Sequence, residues 1–305
     1  MIYEVEADAS TDLVVRILDN TLAERYGAKR FAAVTGARFD IAPYLRRAMH
    51  FTPTVGRTGV YGGASRVLPV VVEATDTATQ QVVNASFRTF LPTAEEVSAP
   101  ALLTAMPAVR LIPEGACDEL SLFTEGQLET YLTIAYGPQT VTERHVVPSG
   151  GLHIFQVNTD DFPFADTLTV DAGPCGKVVY SITKPIEGAV RLAWRSRCGS
   201  IEHYSFPVEV KAEVEASKHH AYGAEGHTGR TAFEQRRKVR SALETRPVLE
   251  GLSELIYSPE VWLVEQSGYT PVDVVTDRAA VHNYGTLSTL EITFRPKIQP
   301  ATPWN

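Results

Sequence analysis

The chain has 305 residues, of which 44% are hydrophobic and 21% charged, with a formal net charge of -8. That composition describes a folded chain long enough for one large or two ordinary domains, and it excludes wholesale disorder. The acidic balance argues against general nucleic-acid binding, and the apolar runs Val67–Val72 and Ala99–Val109, broken by Pro69 and Pro107, are too short for the roughly 20 residues of a membrane span.

The opening residues MIYEVEADASTD lack the basic and apolar regions of a secretory signal, so cytoplasmic synthesis is expected. Leu13–Leu18 and Arg30–Ile41 read as strands forming a hairpin-like pair. Asp40 is then a candidate N-cap for a helix of about two turns, with Pro43 in its first turn and Tyr44, Leu45 and Met49 spaced to bury one side. GRTGVYGGAS, with Gly56, Gly59, Gly62 and Gly63, reads as a mobile loop, followed by strands at Arg66–Glu73 and Gln81–Phe90.

From Leu91 to Pro113 four prolines make a candidate connection, which places an N-terminal β-rich domain at 1–100 and a C-terminal β-sandwich region at 101–305. Beyond it, Leu120–Thr124, Leu128–Tyr136, Thr140–Val147 and Leu152–Val157 recur at the spacing of a sandwich. Thr167–Asp171, Lys177–Thr183, Ala189–Ser196 and His203–Val214 extend the series. Phe233–Leu243 suits an edge strand or a helix, with the strand favoured. Pro247, Leu249, Leu252, Leu255 and Ile256 predict one short helix that stops before Pro259. Three strands, Val261–Glu265, Pro271–Thr276 and Leu287–Phe294, precede the tail IQPATPWN. The expected fold class is all-β, with β-sandwich domains and a few short helices.

Charge is uneven along the chain. Glu95–Asp171 holds twelve acidic residues against Arg110 and Arg144, whereas Lys184–Arg246 holds twelve basic residues against eight Glu. Such asymmetry lets the acidic part of one copy meet the basic part of another, although two unrelated solvated surfaces give the same count.

Signatures of enzymatic chemistry are absent: there is no P-loop, no GxGxxG after a strand, no GxSxG and no HExxH. Cys117, Cys175 and Cys198 are odd in number and widely separated, which fits neither a disulfide framework nor a CxxC metal site. Asp160, Asp161, Asp166 and Asp171 have the residue type of a calcium site or a glycosidase pair, but a solvated acidic turn is the expectation. His219, His220 and His227 form the one histidine cluster, and a metal there needs further converging ligands. Arg236, Arg237, Lys238 and Arg240 lack the aromatic interleaving of a nucleic-acid surface, and Trp194, Tyr204, Phe206, Trp262 and Tyr269 read as core or interface anchors before they read as a sugar platform. No catalytic residue, cofactor or metal is expected.

Three segments carry a resemblance that spans both ends of the chain in order: ARFDIAPYLRRAMHF (Ala37–Phe51), AWRSRCGSIEHYSF (Ala193–Phe206), and SPEVWLVEQSGYTPVDVVTD with the closing LSTLEITFRP. Together they resemble structural tail-module proteins of Bacteroidetes phages and prophages, of distal-tail, baseplate or minor tail type. Cys198 before Gly199 departs from the pattern. The resemblance implies a non-enzymatic virion component, assembled in the host cytoplasm as a homo-oligomeric ring that contacts neighbouring tail proteins, with GRTGVYGGAS and KHHAYGAEGHTGR as neighbour contacts. The alternative is a glycan-binding or adhesive β-sandwich.

Overall fold

A computed structural model describes residues 1–23, 25–53, 55–220, 228–265, 268–278 and 281–297. The side chains of the histidine cluster, residues 221–227 and the tail IQPATPWN lie outside the described set. The fold is all-β, with two short α-helices among the described residues, and the chain divides into two compact units, Met1–Thr52 with Gly62–Thr93, and Pro53–Tyr61 with Ala94–Asn305. Among the described residues no helix is long and apolar enough to cross a membrane.

In the first unit, β1 (Ile2–Asp19) and β2 (Arg25–Asp40) form a long antiparallel hairpin. Both start earlier than the apolar runs suggested, because Tyr3 and Val5 alternate with Glu4 and Glu6: the first pair is buried, the second exposed, and Glu4 meets Arg38 across the ladder at 3.1 Å. Helix α1 (Ala42–Ala48) follows, with Ile41 rather than Asp40 at its cap, yet Asp40 Oδ1 still accepts the Ala42 N–H at 3.1 Å. Leu45 and Met49 are buried, and Tyr44 packs edge-on against Phe39 and lies over Gly27, where an added Cβ would fall 2.2 Å from the Tyr44 ring.

The segment expected as a mobile loop is ordered, and its first half belongs to the second unit. It forms β3 (Gly59–Gly62), which pairs with a sandwich strand, and a 3₁₀ turn at Ala64–Arg66. Glycine content suggested mobility, but Thr58 supplies what glycine does not: its N–H donates to Asp161 Oδ2 at 2.7 Å, and its hydroxyl accepts the Asn158 N–H at 2.9 Å. β4 (Leu68–Asp76) and β5 (Val82–Phe90) then complete the first unit's sheet in the order β2-β1-β4-β5. Its core is the inward set Leu13, Val15, Ile17, Val70, Val72 and Ala74, all fully buried.

The second unit opens with strands inside the expected connection, β6 (Ala101–Leu103) and β7 (Val109–Pro113). Proline is tolerated there because β7 is an edge strand. β8 (Cys117–Thr124), β9 (Leu128–Tyr136), β10 (Gln139–Val147), β11 (Gly151–Asn158), β12 (Thr167–Asp171) and β13 (Lys177–Thr183) match the expected series closely. They form two sheets, β10-β9-β12-β13-β7 and β3-β11-β8-β6, around one core that includes Leu120, Leu132, Phe155, Val170 and Tyr180.

β14 (Val190–Arg195) and β15 (Ile201–Phe206) follow, and the long strand expected over His203–Val214 is cut at Pro207, which has no N–H to give a ladder, so that β16 (Val208–His220) begins afresh. β16 and β17 (Thr228–Arg240) form a hairpin, and helix α2 (Arg246–Ser253) continues as a 3₁₀ turn to Ile256. β18 (Val261–Glu265), β19 (Gly268–Val274), β20 (Val281–Tyr284) and β21 (Leu287–Pro296) complete a sheet ordered β15-β14-β18-β19-β21-β17-β16, with β20 paired to β21. α2 and the 3₁₀ turn that continues it cover one face of it through Leu249, Leu252 and Leu255. Gly251 allows the close approach, since a Cβ there would lie 2.6 Å from Met106 Sδ and 2.8 Å from the Ala105 carbonyl.

Candidate functional site

The second unit contains a buried polar cluster and, beside it, an open apolar surface. Arg110 on β7 points inward, its guanidinium 3.3 Å from Glu202 Oε2 and 3.7 Å from Asp118 Oδ2. Its remaining donors go to Thr104 Oγ1 at 2.5 Å and the Pro107 carbonyl at 2.9 Å. Glu202 Oε1 accepts the Ala105 N–H at 2.9 Å and the Ser200 hydroxyl at 2.7 Å. Asp118 Oδ1 lies 3.0 Å from His203 Nδ1, and the other ring nitrogen of His203 is 2.9 Å from the Tyr269 hydroxyl. Four strands, β7, β8, β15 and β19, thus meet in one network.

Burial alone would raise the Asp118 carboxyl, but His203, Arg110 and Arg191 outweigh it and hold it down at about 2. The folded value lies below the ordinary 3.8, so the ionised carboxylate contributes stability that is present above about pH 4 and is lost as pH falls toward 2. Unfolding free energy measured by urea titration should therefore drop by about 2 kcal/mol across that window, and Asp118→Asn should flatten the drop. Burial pushes the Cys117 and Cys198 thiols up to about 11, so both stay protonated near neutrality. Asp118 and Glu202 are a carboxylate pair, but with 4% and 1% side-chain exposure and one shared guanidinium they act as a clamp between strands.

The outer face of the five-stranded sheet carries two cross-strand rungs without charge. One runs Thr142, Thr133, Thr169, Val179, Val109, and the other Thr140, Ala135, Thr167, Ser181, Leu111. Both rungs end on the edge strand β7, where Val109 and Leu111 are about two-thirds exposed. Beyond that edge lies a groove of about 240 Å³ between β7 and β15, whose walls include Pro107, Leu111, Ile186, Pro207 and Val248, with Lys184 and Glu244 among its polar groups.

Two strands from Leu111, the turn Phe162–Ala165 precedes β12. Ala165 N–H donates to the Phe162 carbonyl at 3.2 Å, Pro163 stands second, and Phe164 stands third with φ 69°. This is the pattern of a type II turn, whose third position ordinarily holds Gly or Asn because an L side chain there is strained. Phe162 is buried beneath the turn, whereas Phe164 is 87% exposed.

The residues singled out from sequence are placed otherwise. Asp161 and Asp166 accept the N–H groups of Thr58 and Gly137, at 2.7 and 2.6 Å, and Asp171 accepts that of Gly173 at 3.0 Å, so these carboxylates cap turns. Among the described residues no group of three or more His, Cys, Asp or Glu is placed to hold a metal ion. Arg236 pairs with Glu234, Arg237 with Glu209, and Lys238 and Arg240 with Glu291. Trp194, Phe206 and Trp262 are buried, and Tyr204 and Tyr269 bond to Glu244 and His203. Sequence reasoning missed Arg110, Glu202 and Phe164; for Arg110 the available signal was its place as one of two arginines in an acidic stretch.

No protein-family model and no curated protein matches the sequence. Among solved structures the chain is similar to two of the Plexin A4 full extracellular region, one covering domains 1 to 8 and the other domains 1 to 10, at 10% and 9% identity and TM-scores of 0.18 and 0.19. It aligns over 99% of its own length and spans 40% and 32% of theirs, a likeness that bears on neither its fold nor its function.

Proposed function

We propose that this chain is a non-enzymatic structural subunit of a phage tail or tail tip that assembles into a symmetric oligomer. The observation that carries the reading is the free edge of the first unit's sheet. Among the described residues β5 pairs only with β4, and Gln80–Phe87 (QQVVNASF) contains no charge, with Val82 and Val83 exposed and Phe87 65% exposed. β5 itself carries one charge, Arg88 near its end, and its uncharged first six residues without proline are a template for strand addition, which soluble chains otherwise block. The opposite edge, β2, carries Arg25, Lys29, Arg30 and Arg38, which block strand addition there and leave β5 as the edge open to a neighbouring copy. Its partners in this reading are further copies of itself and neighbouring tail proteins, met in the virion after assembly in the bacterial cytoplasm.

The test is Val83→Lys with Phe87→Lys, which leaves the unit's core untouched. Sedimentation velocity of the full chain should give an oligomer for the wild type and a tenfold or larger loss of association for the variant, at a stability cost within about 0.5 kcal/mol. A wild type that stays monomeric at high concentration sinks the reading.

A further inference from the structure

We propose that the strand completing the β5 edge is β5 of a second copy, the two strands running antiparallel about a twofold axis centred on Ala85. Self-pairing rests on the reading of β5 as an assembly edge and names its partner, joining the four-stranded sheets of two copies into one continuous sheet.

The register follows from where the regular edge begins and ends. The ladder to β4 runs without a break from Phe90 back to Asn84, then skips Val83 and resumes at Val82, so a bulge interrupts the edge there. Arg88 bounds it at the other end. Its guanidinium is drawn back over its own sheet, donating to the Ile2 carbonyl at 2.7 Å and the Ser86 hydroxyl at 3.2 Å, and it lies 5.5 Å from the centre of the Tyr3 ring. Between the bulge and Arg88 stand five uncharged residues, Val83–Phe87, with Ala85 in the middle. Pairing this stretch with itself puts Ala85 opposite Ala85 and Phe87 of each copy opposite Val83 of the other. An aromatic ring across from a β-branched residue is a stabilising cross-strand pair, and the twofold axis makes it twice.

The other strands that end a sheet are set aside by length, charge or an existing contact. β3, β6 and β20 span four, three and four residues, and β7 closes on Pro113, which has no N–H to give. β2, β10 and β16 carry charges through their middles, Lys29 and Arg30, Glu143 and Arg144, and Lys211 and Glu213, and an uncharged neighbour offers these no counter-charge. β15 is already held against β7 and β8 by Glu202 and His203. Among the described residues β5 is thus the edge that matches β5. Two identical edges can meet in two ways. A parallel pair turns one sheet over, so that the buried face of one copy continues the outer face of the other. The antiparallel pair keeps both buried faces, which carry Val70, Val72 and Ala74, on one side.

The experiment places charges on the full chain and mixes the products. Val83→Lys with Phe87→Lys and, separately, Val83→Glu with Phe87→Glu should each lose association at least about tenfold, because like charges then stand opposite one another. An equimolar mixture of the two should regain it, since every Lys meets a Glu of the other copy; recovery, read by sedimentation velocity, also shows that both variants fold. Ala85→Cys should form a disulfide to itself under mild oxidation, because opposed Cα atoms in such a pair lie about 5.5 Å apart. Peptide mapping separates that link from any made by Cys117, Cys175 or Cys198. The wild-type oligomer should contain an even number of copies, each β5 being used up by another. With the wild type associating and the lysine variant dispersed, three results overturn self-pairing while the edge reading stands: a mixture that stays dispersed, Ala85→Cys that does not cross-link to itself, or an odd-numbered oligomer. A wild type that stays monomeric at high concentration overturns both.

Discussion

Arg110→Met is expected to cost the second unit about 3–5 kcal/mol, the range found when one partner is removed from a buried ion pair. The side chain is of similar length and apolar, so packing changes little, but Asp118 and Glu202 are left facing each other with no cation between them. Thr104 and the Pro107 carbonyl lose their donors as well. At about 2–4 °C per kcal/mol for a unit of this size, the melting temperature should fall by about 10 °C. Arg110→Lys should lie between, since an ammonium keeps the charge and loses the planar fork. The informative comparison is Arg110→Met with Glu202→Gln: the amide oxygen keeps the Ala105 and Ser200 hydrogen bonds while one of the two stranded charges disappears. The double variant should be less destabilised than the sum of the singles by about 1 kcal/mol or more, checked by urea denaturation. Additive losses would mean that the guanidinium holds its neighbours by packing alone.

The strands of the sandwich were legible because their apolar residues alternate and their turns are marked. Leu128–Tyr136, Thr167–Asp171, Lys177–Thr183 and Val261–Glu265 have the bounds that the pattern indicates. Three kinds of feature were not legible. Gly56–Gly62 looks mobile by composition, and its order comes from Asp161 and Asn158, about a hundred residues away. β7 lies among prolines, which mark a connection unless the strand sits at a sheet edge, and edge position is a tertiary fact. β20 (Val281–Tyr284) is too short, and too mixed in residue type, to stand out.

The candidate sites were less legible for a related reason. On β7 the sequence reads Val109, Arg110, Leu111, Ile112, and hydropathy alone puts Arg110 outside. The structure does the reverse, burying Arg110 with Ile112 and exposing Val109 and Leu111. A strand's period fixes that alternate residues share a face, not which face is inner, and a buried cation inverts the inference. Glu202 and His203 are consecutive residues of β15 and yet both reach the cluster. Phe164 was invisible because no sequence rule places an aromatic residue at a positive φ.

Trp194→Ala should be the second severe change, at about 3–5 kcal/mol. Among the described residues Trp194 is the largest fully buried side chain, and it shares its core with Leu192, Phe206, Leu252, Leu255 and Phe294. The neighbours cannot close the gap freely. Gly251 already holds α2 against Ala105 and Met106 at a distance that leaves no room for a Cβ, so the helix cannot settle further toward that side. The cavity therefore remains, and the loss should fall on the docking of α2. Hydrogen exchange should rise first over Arg246–Ile256, before the β14–β15 ladder opens, and Trp194→Phe should restore most of the protection. Phe164→Gly offers the contrast within the same unit: an aromatic removed from the surface with no loss of stability, against one removed from the core with a large loss. Unchanged exchange over α2 in Trp194→Ala would show that the helix is held by Met106 and the Ala105 backbone rather than by the indole.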